Sequence, residues 1–529
     1  MHTREGAPSA LALVPTTPYA LRPLLIPPYC RDGSSTHASA NRPCGVFPRA
    51  DTGPRDATRR FGWFGAVLLV LLAAVLGGCA GLDEPLGRAE HTEAFRAELA
   101  EKTTAALEGE EPLQLVDCLA IAQENNLAIE AAQIAGRIAR LERKVAFANF
   151  LPKLELSTQV VTWDRQPQSQ LGGFLYTAMH DRTMRDTIVQ MQMPIFVPAT
   201  WYLYSMHKRG ETLRALVLDY TRHMIALQVT AAYFHCVALN ETQNALQSQL
   251  AAAEQLAHEV GAYYDEGLVT ASQKQQADTL RLVRQTALEK TARAEQQAVA
   301  DLLAAMGLSP LAGLSLALDT PLVAPAGDLE ALVLEAMLNN PRLAIEDERA
   351  AIEHTKIKLA ITEFLPKLVG FASRTNTSNS FVRYPEFTMT GLSGVMSLFT
   401  GFANLNQYRA ARENARAAFV EREQACFTVM VETVRAYLNL EDARADRALA
   451  EQALDVAEAQ LHEIEEQAKE GLVNQSDRLA AVAERDKAEL NVTNARFQQQ
   501  VVIALLRNVV GRPLLETETE AAEEELQES

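Results

Sequence analysis

The chain has 529 residues, 48% hydrophobic but only 6% aromatic, a balance that suits long packed helices more than aromatic-rich globules. Its formal net charge of −18 excludes a protein that binds nucleic acid by electrostatics. Its six cysteines form no CxxC pair, which excludes a thiolate zinc site or a redox motif of that type.

Residues 1–58 are rich in Pro, Arg, Ser and Thr and lack apolar periodicity, so they read as disordered or as a mis-assigned start. Met1 is the only Met before Met179, and Val46 is one candidate for a non-Met start. Residues 59–78 read as an export signal. Arg59 and Arg60 precede an apolar run from Phe61 to Leu76, which is short for a membrane span and ends in small residues. Leu76-Gly77-Gly78-Cys79 resembles the bacterial lipobox, which implies lipid attachment at Cys79. An ordinary signal with an incidental cysteine is the other reading. By the same resemblance Ala80, in place of an Asp, favours the outer membrane. Residues 79–112 form an N-terminal linker.

The rest of the chain repeats itself. The first unit spans 113–310 and the second 329–513, with a linker at 311–328 and an acidic tail at 514–529. Asn125-Asn126 recurs as Asn339-Asn340, and "FLPKL" occurs at Phe150 and again at Phe364. "EGLV" occurs at Glu266 and again at Glu470. Each unit opens with a predicted helix of about 35 residues, stopped at Pro152 or Pro366 because proline lacks the amide donor. Two period-2 runs follow, 152–163 and 186–196 in the first unit, with counterparts beginning at 366 and 387 in the second. They read as strand hairpins of the length that spans a bilayer. Four strands cannot close a membrane barrel, and an open edge in lipid leaves backbone groups unpaired. Three chains sharing one barrel would supply twelve strands; a soluble four-stranded sheet is the alternative.

Long helices come next. Leu213, Val217, Tyr220, Met224, Leu227, Ala231, Phe234 and Ala238 step by 4 and 3, a coiled-coil seam. Phe427, Val431, Val434 and Leu438 repeat it. A 66-residue helix makes a rod of about 100 Å. The EGLV glycines end these rods, as glycine does just past a helix C-terminus. Thr270 or Ser272, and Asn474 or Ser476, are the caps available to the return helices. There is no GxGxxG, P-loop or HExxH, and the histidines lack ligand spacing. His235 and Cys236 read as packing. Nothing points to catalysis, a cofactor or a bound metal.

This twice-met order of helix, strand hairpin, long helix, glycine turn and return helix resembles the TolC family of bacterial outer-membrane efflux proteins, lipoprotein subtype. The matching stretches are "EAMLNNP", both "FLP" runs, "MPIF", "MSLF" and both EGLV turns, across about 113–513. The resemblance implies a mainly α fold with a membrane β-barrel part: a homotrimer with an α-helical barrel and a shared twelve-stranded β-barrel. It implies an exit duct, not an enzyme, that passes substrates from an inner-membrane pump with a periplasmic adaptor protein. A periplasmic adaptor or a structural envelope lipoprotein is the competing reading. The resemblance also makes Gly267, Leu268, Val269, Gly471, Leu472 and Val473 candidate adaptor-docking residues, which suits exposed apolar side chains at a tip. Family acids that ring the pore aperture fall six and nine residues past the second glycine. Here those places hold Asp477 and Ala480, and the first unit has Gln273 and Gln276, so Asp477 alone is the candidate aperture residue.

Overall fold

The computed structural model describes residues 87–108, 112–171, 173, 175–317, 321–470, 472–473 and 475–514. The export signal, Cys79, Gly471 and the tail from 515 onward lie outside the described residues.

The chain opens with α1 (Arg88–Ala106) and then runs through the two units. The first holds α2 (Leu115–Asn125), α3 (Leu127–Ala148), β1 (Lys153–Thr162), β2 (Gln168–Leu171), β3 (Leu175–Ala178), β4 (Thr183–Phe196), α4 (Pro198–Asp265) and α5 (Ala271–Met306). The second holds α6 (Leu329–Asn339), α7 (Pro341–Thr362), β5 (Lys367–Thr377), β6 (Glu386–Val395), α8 (Ala403–Lys469) and α9 (Gln475–Val510). The duplication is kept closely in the helices, the two longest having 68 and 67 residues. Leu115 and Leu329 open helices of 11 residues at an offset of 214, and Ala271 and Gln475 open helices of 36 residues at an offset of 204.

The single opening helix expected in each unit is two helices. The break is at Asn126 and at Asn340, both in extended backbone with ψ near 120°. Each asparagine caps the second helix with Oδ1, accepting from Ala128 N in one unit and Arg342 N in the other. Its amide then reaches the end of the return helix: Asn126 Nδ2 donates to Ala305 O at 2.7 Å, and Asn340 Nδ2 to Val509 O at 2.8 Å. Gly307 and Gly511, both at positive φ, meet the break there. A Cβ on Gly307 would fall 2.3 Å from Asn125 O. The Asn pairs and the terminal glycines, far apart in sequence, are thus two sides of one contact.

The main sheet has order β1-β4-β5-β6, all antiparallel, so β4 and β5 join the two units. The outer edges of β1 and β6 have no strand partner among the described residues. Alternation and register place Leu154, Leu156, Val160, Val189 and Met191 on one face, and Lys153, Glu155, Gln159, Gln190 and Gln192 on the other. The first loop contains the small β2–β3 hairpin. In the second unit the strand stops at Val395, so Met396 to Phe399 lie beyond it.

Where helices meet sheet in the first unit, Phe147, Phe150, Phe196, Trp201 and Tyr204 stack edge to face or tilted, with centroids 5.7–6.1 Å apart. Below, each unit has its own core. The first gathers Cys118, Val229, Tyr233, Leu302, Leu303 and Met306; the second gathers Leu332, Ala436, Leu440, Ile503 and Leu506. On α4 the expected seam residues Phe234 and Ala238 are buried, but on α8 the heptad is displaced. On α8 the buried stripe is Val429, Thr433, Ala436, Leu440 and Ala443, whereas Phe427, Val431 and Leu438 stand exposed. Two apolar stripes interleave on this helix, and the chain covers only one of them. No helix among the described residues is long and apolar enough to cross a membrane.

Candidate functional site

Each long helix ends at its EGLV turn. Helix α4 is capped by Glu266; Gly267 then adopts φ 77°, a left-handed conformation that costs an L side chain about 1–2 kcal/mol. Leu268 N donates back to Tyr263 O at 2.8 Å, the long bond of a Schellman turn. Leu472 N makes the same bond to Gln467 O at 2.9 Å. In both turns the leucine is thrown outward, Leu268 being 68% and Leu472 71% exposed, while Val269 and Val473 are half-buried. Thr270 and Gln273 close a reciprocal capping box, Thr270 N donating to Gln273 Oε1 at 2.8 Å. The first tip carries more than its motif: Tyr263 and Tyr264 are exposed beside Leu268, with the Lys274 ammonium 4.9 Å from the Tyr264 ring centre. The doubled Tyr before "DEGLV" was the sequence signal for this patch. The second tip is charged instead; Lys469 binds Glu466 at 2.7 Å and holds that carboxyl below its ordinary range.

The two hairpins lie side by side. Leu479 of α9 is buried with Leu256, Val260 and Ala277 of the first hairpin, and Val269 packs on them. Asp477, the candidate aperture residue, is exposed in the first turn of α9. Its neighbour Arg478 reaches Glu259 of α4 at 3.9 Å.

Deeper along the stalk is a group that sequence reasoning missed. Arg284 of α5 binds Asp486 of α9 at 3.1 Å, and Asp486 is only 2% exposed. Arg485 approaches the same carboxylate at 3.1 Å and Glu489 at 3.4 Å. Gln249 of α4 donates to Asp486 O at 3.3 Å and to Glu489 Oε2 at 3.2 Å. Burial pushes the Asp486 carboxyl above its ordinary value, against the pull of the two guanidiniums. This cluster ties the first hairpin to the second. No group of His, Cys, Asp and Glu among the described residues is arranged to hold a metal.

A duplicated stalk of two long helical hairpins is thus joined to a four-stranded sheet whose outer edges have no strand partner among the described residues. Residues 332–512 match the outer membrane efflux protein family. No curated protein matches the chain. Among solved structures, the CmeC outer membrane channel of Campylobacter jejuni aligns at TM-score 0.66 and 16% identity, covering 78% of this chain and 89% of that one. The outer membrane protein VceC of Vibrio cholerae aligns at 0.64 and 16%, covering 76% and 97%. The MtrE outer membrane channel of Neisseria gonorrhoeae, in its open state, aligns at 0.62 and 17%, covering 76% and 89%. By sequence the second unit alone carries this family match, and by fold both units are similar to these channels.

Proposed function

We propose that three copies of this chain form the exit duct of a tripartite efflux system in a Gram-negative outer membrane, anchored there by lipid on Cys79. The observation that carries this reading is the four-stranded sheet. Its two edges, unpaired among the described residues, cannot stand alone in lipid, where each unpaired backbone group costs several kcal/mol. Three such sheets joined edge to edge leave none unpaired, with Leu154, Leu156, Val189 and Met191 turned to lipid and the Lys153, Glu155 and Gln190 face turned to the channel. The duct is a conduit and not an enzyme. At the far end of each rod Leu268 and Leu472 offer apolar contacts to a periplasmic adaptor, which links the duct to an inner-membrane pump. The Asp477 carboxylates of three copies form a ring that favours cations.

Purified protein reconstituted into planar bilayers should form trimers with stepwise conductance; a soluble monomer without conductance would sink the proposal. Cysteines placed at Leu268 and Leu472 should cross-link an adaptor in membranes of the native host, and capture of chaperones alone would remove the docking role.

A further inference from the structure

Where the long helices leave the sheet, the two units are built differently. In the first, Pro198 opens α4 and is buried, and Phe196 and Trp201 belong to the aromatic stack. The cations at that level are answered by carboxylates: Arg140 and Arg143 share Glu211, and Arg209 binds Glu348 at 3.1 Å. In the second, the segment between β6 and α8 turns its apolar side chains outward. Leu398 is 88% and Phe399 74% exposed, and Met396 and Phe402 are exposed as well. Phe402 has the register of Pro198 at the 204-residue offset, with φ 66° after a Gly401 at φ 62°. Among the described residues it is the one non-glycine at positive φ. An L side chain is strained there, and such strain gathers where a segment is held for function. Its ring meets Phe399 edge to face, with centroids 5.4 Å apart.

Directly after this patch α8 is basic. From Ala403 to Val420 it carries Arg409, Arg412 and Arg416 against one carboxylate, Glu413, in a chain of net charge −18. The three arginines step by 3 and 4, which makes one stripe, and all are exposed. Further along α8, Arg422 binds Asp347, Arg444 binds Glu441 and Arg447 binds Glu451, whereas the three earlier arginines have no ion pair among the described residues. At the same offset Arg412 stands where the first unit has Lys208, also exposed, and Ala415 where it has Glu211. The cation is kept in both units, and the acid that would answer it is lost in the second. A rise of 1.5 Å per residue puts Arg409 about 10 Å and Arg412 about 15 Å beyond Phe402. Helical side chains lean toward the helix N-terminus, so both guanidiniums reach back toward the patch. A bilayer presents the same order: hydrocarbon, then a headgroup layer about 5–8 Å deep.

We propose that this shelf binds anionic phospholipid of the periplasmic leaflet, with Met396, Leu398, Phe399 and Phe402 among the acyl chains and Arg409, Arg412 and Lys208 at the headgroup phosphates. The proposal rests on the membrane sheet put forward above, and adds the class of lipid and the residues that choose it. Charge selects the occupant. Cations left unanswered in an acidic chain, one to two turns beyond an exposed aromatic pair, are matched by a negative surface with hydrocarbon behind it. Arg416, about 21 Å beyond Phe402, lies too deep for direct contact and adds to the field alone.

The test uses the full-length protein in mild detergent, mixed with equal amounts of phosphatidylglycerol and phosphatidylcholine, and counts retained lipid by native mass spectrometry. The protein should retain phosphatidylglycerol in preference. In an Arg409→Gln, Arg412→Gln, Lys208→Gln variant the preference should fall by about fivefold for each cation removed, the worth of one basic residue at an anionic surface. All three positions are exposed, so folding is preserved. Arg435→Gln, at an exposed position further along the same helix, should leave the preference unchanged. Equal retention of both lipids by the unaltered protein overturns the proposal, and so does an unchanged preference in the triple variant. A triple variant that separates into single chains with its preference intact assigns the cations to contact between copies and overturns it too. Conductance separates this from the duct reading: a conducting channel without lipid preference keeps the duct and removes the shelf, and lipid preference without conductance does the reverse.

Discussion

At the scale of single residues, Asp486 carries an uneven balance of burial and charge. It is a carboxylate held 2% exposed between Arg284 and Arg485, and its raised pKa records that burial costs more than the two cations return. Removing one partner should therefore cost far more than removing the pair. Arg284→Met is expected to lower stability by about 3–5 kcal/mol, because a buried charge loses its main counter-ion. The Arg284→Met, Asp486→Leu double variant should recover most of the loss, as apolar side chains of similar size replace the pair. Urea unfolding of the detergent-solubilised protein reads both. A double variant no better than the single one would show that Arg485 holds the Asp486 carboxylate without Arg284. Cys236, by contrast, is inert. Burial pushes its thiol up to about 12, and an unionised thiol is a poor nucleophile.

Among elements, the contact between the two outer loops is titratable. Asp181, just before β4, accepts from the Ser380 backbone N–H at 2.5 Å and from its hydroxyl at 2.8 Å, while Asn379 Nδ2 meets His180 Nδ1 at 3.0 Å. The Ser380 backbone donor, followed by its hydroxyl, holds the Asp181 carboxyl below the ordinary 3.8. A lowered acid contributes its stabilisation in full above the ordinary value and loses it as pH falls through the folded value. Protection of the Ser380 amide from hydrogen exchange should hold from neutral pH down to about pH 4 and fall below it. Asp181→Asn should show the reduced protection already at pH 7; equal protection in both proteins would disconnect Asp181 from loop order. This latch was not legible in the sequence, because His180, Asp181 and Asn379 are some 200 residues apart (379 − 181) and sit in unpatterned loops. The small β2–β3 hairpin escaped for a related reason: its four-residue strands are too short to show a period. The long helices were legible because the EGLV glycines mark their ends twice at constant spacing, whereas the break at Asn126 and Asn340 was not, since the helical pattern runs on through it. The stripe that α8 buries was not, since two heptads interleave on that helix and only tertiary packing chooses between them.

At the scale of the whole molecule, the duplication repeats one plan at three levels: sheet, rods and tips. It also separates the two halves. Both tips carry an outward leucine, but only the second is followed by a carboxylate six residues past its glycine, Asp477 against Gln273. In the proposed trimer this gives three charges at the narrow end, contributed by one unit alone. A ring of fixed negative charge raises the local concentration of cations and repels anions, and it is screened within about 10 Å at 0.1 M salt. Asp477→Asn should therefore move the reversal potential of reconstituted channels under a potassium chloride gradient toward zero, with a larger shift in dilute salt than at 1 M, where screening falls to about 3 Å. Conductance should persist, because the substitution leaves the rods and the sheet intact. The first-turn position of Asp477 also gives it an interaction with the α9 dipole, and that alternative makes its own forecast: stability of the second tip would fall while ion preference stayed unchanged.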